Sequence, residues 1–294
     1  MIRRPEQFAV NSFLRTGANV KRLLTLVLGT VLFAPSAALA QTPSDDPAAL
    51  KLAEPDFALI GLPTNLRLPK FGSSFRVTHR FTCPLNEDNA ASDLFGIDCG
   101  AQIGLEFRFG ILPNTQIGIH RTSNKTIELF SEYSVLRQSA GRVLDVSAWF
   151  SIEGTNNFQD SYSPAIGAIV SRTIGDVAAI YVHPIYVNNT SDQPAELVDD
   201  NSSFMVGVGA RIRILPTVYI TGEVAPRTGY KGAAAGSTQD AVTHASFAIE
   251  KRAGGHLFQL NFSNSFGTTM AQIARGGPVG NDWYLGFNIS RKFF

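Results

Sequence analysis

From about Ser74 to the end of this 294-residue chain, apolar and polar positions alternate with a period of two. In "AQIGLEFRFG", Ile103, Leu105, Phe107 and Phe109 alternate with Gln102, Gly104, Glu106 and Arg108. In "FMVGVGARIRI", Phe204, Val206, Val208, Ala210 and Ile212 alternate with Met205, Gly207, Gly209, Arg211 and Arg213. A helix would scatter those charges around its axis, whereas a strand sorts them onto one face. About twelve such runs are present, near 73–82, 100–110, 114–121, 125–137, 142–153, 162–173, 176–188, 202–214, 217–226, 242–251, 255–264 and 282–294. Most have the ten or so residues that a tilted strand needs to cross a bilayer.

The connections add a second pattern. The even gaps are short: "LPN", "QSAG", "IGD", "LPT" and "RAGG". Four odd gaps are long: "CPLNEDNAASDLFGIDC", "NTSDQPAELVDDNS", "RTGYKGAAAGSTQDA" and "FGTTMAQIARGGPVGN". Sorting by parity fits an antiparallel up-and-down meander with its tight turns at one end, the form of transmembrane β-barrels.

The two faces differ in chemistry. The apolar face is rich in aromatics. The other holds Arg76, Arg80, Glu106, Arg108, Glu128, Glu132, Glu153, Arg211, Arg213, Glu223, Glu250 and Lys292. So many charges do not share a dry core, so the reading is an all-β transmembrane barrel with these residues lining a wet lumen and the apolar face in lipid. The near balance of sign predicts cross-lumen salt bridges, and either weak selectivity or a largely plugged interior. Tyr133, Trp149, Tyr181, Tyr186, Tyr219, Trp283 and Tyr284 are expected in interfacial girdles. The last run, "NDWYLGFNISRKFF", reads as the closing strand. Trp283, Leu285, Phe287, Ile289 and Phe293 are expected to face lipid and, with Phe294, to form an assembly signal for the barrel-insertion machinery, while Tyr284, Gly286, Asn288, Ser290 and Lys292 face the lumen.

The N-terminus changes the picture of location. A basic stretch ending at Lys21 and Arg22 precedes "LLTLVLGTVLF" and then "APSAALAQ", a signal-peptide pattern with cleavage expected after Ala40. An uncleaved anchor helix is the alternative. The domains are then a signal peptide (1–40), a periplasmic lead-in (41–72) and the barrel (73–294), with the outer membrane of a bacterium as the location. Without its basic leader the chain, +1 overall, is about −3, which argues against a nucleic-acid partner. Cys83 and Cys99 are the two cysteines, and an exported chain favours their pairing over two free thiols.

Several stretches together resemble an uncharacterised family of bacterial outer-membrane β-barrel proteins. They include "FRVTHRF" (75–81), "SDLFGIDCGAQIGLEFRFG" (92–110), "SIEGTNNFQDSYSPAIGAIVSRTIGD" (151–176) and "WYLGFNISRKFF". The resemblance implies a barrel and a location, and brings no catalytic residues.

No catalytic constellation emerges. His79, His120, His183, His244 and His256 lie at no metal-ligand spacing, so no metal and no cofactor is expected. His79 is on the lipid-facing parity, as a membrane-embedded lipid hydrolase would require, but no nucleophile motif accompanies it. "TTMAQIARGG" is expected to form one or two helical turns, either constricting the lumen or covering the rim. The expected function is a narrow passive channel or porin for small solutes or ions. The alternative is a non-conducting barrel that anchors or partners a periplasmic protein. The other expected partners are outer-membrane lipid and the assembly machinery.

Overall fold

A computed structural model describes residues 52–85, 94–191, 201–230, 241–277 and 282–294. The expected signal peptide and cleavage site lie outside the described residues.

The strands are β1 (Ser73–Phe81), β2 (Ala101–Leu112), β3 (Thr115–Thr122), β4 (Ile127–Leu136), β5 (Asp145–Gly154), β6 (Asp160–Ile174), β7 (Ala178–Val187), β8 (Ser203–Leu215), β9 (Val218–Ala225), β10 (Arg227–Gly229), β11 (His244–Ala253), β12 (His256–Ser263) and β13 (Tyr284–Phe293). β9 and β10 are one strand. Val224 pairs with Val208 and Arg227 with Met205 in one unbroken register, interrupted only by Pro226, which has no N–H to give. Counted so, twelve antiparallel strands close a barrel, each pairing with its sequence neighbours and β1 with β13. Closure leaves no open edge, as hydrocarbon demands.

Alternation places the side chains as expected. Phe107, Phe204, Ile249 and Phe258 are exposed on the outer surface, while Arg108, Glu106, Arg211 and Glu250 are buried inside. Of the seven aromatics expected in girdles, Trp149, Tyr181 and Tyr219 instead point inward and are buried, as is Tyr284, whose parity in the closing strand already put it toward the lumen. The reason is that the interior is not an aqueous bore.

Two elements fill it. Residues 52–69, expected as a periplasmic lead-in, run inside the barrel as a hairpin. Leu59 N–H donates to the Leu62 carbonyl (2.8 Å) and Thr64 N–H to the Phe57 carbonyl (2.9 Å). Ala53, Leu59, Ile60 and Leu62 are at most 1% exposed. From the other end comes the short helix α1 (Met270–Arg275), capped at Thr269 and buried from Met270 to Ala274. It is the constriction that "TTMAQIARGG" foreshadowed.

Near the long-loop end, Cys83 and Cys99 form a disulfide. The closed loop of about fifteen residues corresponds to roughly 3 kcal/mol in the chain-entropy model.

Candidate functional site: the plugged lumen

The inner wall has two unlike halves. Along β6, β7 and β8 it is apolar: Ala165, Ile169, Ala179, Ile185, Val187 and Met205 form one buried cluster with Leu59 and Leu62 of the hairpin. From β9 round through β13 and β1 to β4 it is polar and charged. The hairpin lies between, with Leu59 and Leu62 in the apolar cluster and its peptide groups bound by polar side chains of both halves, among them Arg211 of β8 and His183 of β7.

The backbone is read group by group. The carbonyls of Ala58, Leu59 and Ile60 accept from Arg211 (2.7 Å), Gln259 (2.8 Å) and Asn288 (3.1 Å), and Arg76 also reaches Ile60 at 2.5 Å. The next three amides, Ile60, Gly61 and Leu62, all donate to the Glu223 carboxylate at 3.0, 2.8 and 3.1 Å. On the far flank, Tyr181 donates to Glu54 (2.7 Å) and the His183 ring to the Pro63 carbonyl (2.7 Å). Asn65 donates to Ser171 (2.8 Å). Lys292 donates to the Pro55 carbonyl and Arg67 to Asn114 (2.6 Å), which puts both legs of the hairpin at the end bearing the termini. A turn with no strand partner must have its peptide groups satisfied by side chains, and here the wall supplies them.

The helix is held by acids on the opposite half. Glu128 and Glu153 are cross-strand neighbours on β4 and β5. Met270 N–H donates to Glu128 (3.1 Å), and Thr269 and Arg275 (2.5 Å) both donate to Glu153.

All twelve charged residues singled out from sequence share the inward parity. Ten are buried, while Arg213 and Lys292, near the terminal rim, are half-buried. The expected cross-lumen salt bridges are corrected. The ion pairs run along the wall between nearby strands, because the hairpin occupies the axis. Arg211 binds Glu250 through two bonds of 2.8 and 3.0 Å. Arg108 pairs with Glu106 and lies 3.7 Å from Glu132; its guanidinium also stands over the Phe130 ring at 4.7 Å. Arg76 is 3.8 Å from Glu106, and His244 Nε2 lies 3.0 Å from Glu223. Arg80 donates to Asn288 at 2.9 Å.

Of the neutral half of this site, sequence reasoning placed Asn288 in the lumen and missed Gln116 and Gln259. Gln116, Gln259 and Asn288 share the inward parity with the charges, and that parity was the available signal. The wet lumen is corrected as well. A cavity lined by Gly61, Glu106, His120, Glu128, Trp149 and Met270 has about 10 Å³, room for a single water at most.

His79 faces outward, its ring stacked on Phe287 at 4.6 Å. Its Nδ1 has no hydrogen-bond partner among the described residues, and its cross-strand neighbours are Phe287 and Ile103. No nucleophile is presented to it there.

The fold and its filling define the class: a transmembrane β-barrel closed from both ends by its own chain. The chain belongs to the family described as "Membrane bound beta barrel domain (DUF5777)", whose model matches residues 56–293 and so takes in most of the hairpin as well as the strands. No curated protein sequence is detectably similar to it. Among solved structures, an outer membrane channel from Pseudomonas putida F1 is 11% identical with a TM-score of 0.49, over 77% of this chain and 97% of that one. The KdgM porin is 9% identical at 0.47, over 75% and 99%. An outer membrane phospholipase A from Escherichia coli is 12% identical at 0.43, over 76% and 90%. At these values the likeness is one of barrel architecture only.

Proposed function

We propose that the protein is a channel of the bacterial outer membrane which its own N-terminal hairpin holds shut, and that small solutes pass when the hairpin withdraws. One observation carries this reading. Among the described residues, no backbone hydrogen bond joins 52–69 to a strand; its ties to the wall are made through side chains. A plug paired to the wall as a strand would tear the barrel on leaving. This one can exchange its partners for water while every rung of the barrel remains. The wall beneath is polar enough to be wetted, and Arg211–Glu250 and Arg108–Glu106 stay paired without the hairpin.

Location rests on the closed membrane barrel and the signal-peptide pattern. The signal peptide, cut after Ala40, would leave Gln41 as the mature N-terminus, and the hairpin would face the periplasm. No catalytic role is assigned.

A second reading is a barrel that never opens and serves to anchor or partner a periplasmic protein. The complete burial of Leu59, Ile60 and Leu62 favours it.

The test is planar-bilayer conductance of the whole protein and of a variant whose residues 57–66 are replaced by a Gly/Ser linker of equal length. A quiet parent and a conducting variant are expected. A variant that shows the heat-modifiable gel shift of a folded barrel and still passes no current would leave the anchoring role in its place.

A further inference from the structure

The inner wall is built to hold a peptide. We infer that the surface under the hairpin tip is a socket for short leucine-like peptides, and that such peptides are the solute class of the channel; the second half rests on the gated-channel reading.

Three successive carbonyls and three successive amides of "ALIGL" are bound by five fixed side chains, those of Arg211, Gln259, Asn288, Arg76 and Glu223. That alternation of acceptors and donors is the signature of a polypeptide backbone. A sugar offers hydroxyls in another geometry, and a simple ion satisfies only one sign. Buried polar groups left unmatched cost more than the matched ones contribute, which is how such a wall discriminates.

The side chains are read next to that polar patch, on β8 itself, where Gly209 pairs with Glu223 across the strands. Leu59 and Leu62 sit over two glycines of β8. A Cβ on Gly209 would fall 2.3 Å from Leu59 Cδ1, and one on Gly207 would fall 2.8 Å from Leu62 Cδ1. Any larger residue at either position would fill the space that a leucine now takes. Two neighbouring inward positions on one strand are thus empty of side chain where the ligand is bulky.

The socket is also held by its own bonds, independent of what fills it. Arg211 is fixed by Glu250, Glu223 by His244 and Asn288 by Arg80. Gln259 donates to Glu250 at 2.6 Å. Removal of the hairpin therefore leaves the recognising groups in place, and the hairpin acts as a tethered stand-in for the solute.

The experiment uses the linker-replaced full chain and two blocked peptides, acetyl-Leu-Ile-Gly-Leu-amide and acetyl-Ala-Ile-Gly-Ala-amide, with calorimetric titration and current block as readouts. The leucyl peptide should bind at least tenfold more tightly than the alanyl one and block current in proportion. Gly207→Leu with Gly209→Leu on the same background should abolish the difference. Equal binding of the two peptides, or binding of neither, overturns the socket. A barrel that conducts and binds neither peptide sinks the socket and leaves the channel. One that binds the leucyl peptide and passes no current sinks the channel and leaves the socket. Should the linker variant fail to fold, the full chain carrying Leu59→Ala and Leu62→Ala keeps the hairpin and frees both side-chain sites. The leucyl peptide should then speed hydrogen exchange at the amides of Gly61 and Leu62, and the alanyl peptide should not. The same rate with both would again overturn the inference.

Discussion

Gly61 of the hairpin lies against Ile273 of the helix: a Cβ at Gly61 would fall 2.8 Å from Ile273 Cδ1 and 3.2 Å from the Glu223 carboxylate. The two closing elements, which come from opposite ends of the barrel, therefore touch at this point. A small addition is tolerable, because Cδ1 is the free end of a side chain. A branched one is not. Gly61→Val should loosen the seal by about 1–3 kcal/mol, the usual cost of overpacking, seen as faster proteolysis of the hairpin in folded protein. Ile273→Ala on the same chain should recover part of the loss, since the pair touch and their effects will not add. Simple additivity would mean that they do not touch.

Phe107 and Arg108 are adjacent and face different media, with Phe107 44% exposed and Arg108 2%. Phe107→Arg should lower folding into bilayers by roughly 2–4 kcal/mol if the position lies near the midplane. Arg108→Met should also be costly, at about 3–5 kcal/mol, because it strands buried carboxylates. Glu132 would keep only neutral donors such as Gln116, at 2.6 Å. The double variant Arg108→Met, Glu132→Gln should be more stable than Arg108→Met alone. Folding efficiency by gel shift into lipid vesicles measures all three, and a double variant no better than the single would show that Glu132 is not the stranded partner.

The seam where the chain closes on itself should be the point of assembly failure. Phe293 pairs with Ser73 at the last rung of β1 and β13, and the Arg291 guanidinium stands over its ring at 5.3 Å. Deleting Phe293 and Phe294 removes that rung, an outward anchor and the terminal aromatics. The expected result is less heat-modifiable barrel in the membrane fraction and more unfolded chain lost to periplasmic proteases. Undiminished barrel would show that the closing strand needs neither residue.

Orientation follows from loop length. The tight turns, the start of β1 and the end of β13 lie on one side, which should be periplasmic. An epitope between Ala140 and Gly141 should be hidden on intact cells, and one between positions 192 and 196 should be accessible. The reverse staining would turn the barrel over and place the hairpin's legs outside.

Most of the wall was legible because a strand in a barrel writes its surroundings into parity. The ranges read for β2, β8 and β12 fall within a few residues of those observed. A plugged interior and a constriction by residues 268–277 were among the readings, but the hairpin was not legible, for a physical reason. Residues 52–69 satisfy their peptide groups with side chains from remote strands, so the segment has no internal period to read. One trace of it was present. In "AAIYVHPIYV", outward Ile180 and Val182 alternate with inward Ala179, Tyr181, Ile185 and Val187. A strand apolar on both faces needs an apolar neighbour on both. Read that way, β7 announced an apolar occupant of the lumen. The same oversight sent Trp149, Tyr181 and Tyr219 to the membrane surface.

Both legs of the hairpin stand at the same mouth of the barrel, Pro55 beside Lys292 and Arg67 beside Asn114. The segment is a bight, a bend drawn in between two strands of the same line. A bight needs no free end to pass through the ring. It slips in or out like a rope folded through a cleat, without threading and without a topological barrier. A pull on the chain ahead of residue 52 would be applied to one leg alone, and would draw the bend out progressively, freeing the bonds to Tyr181 and Lys292 before those of Glu223.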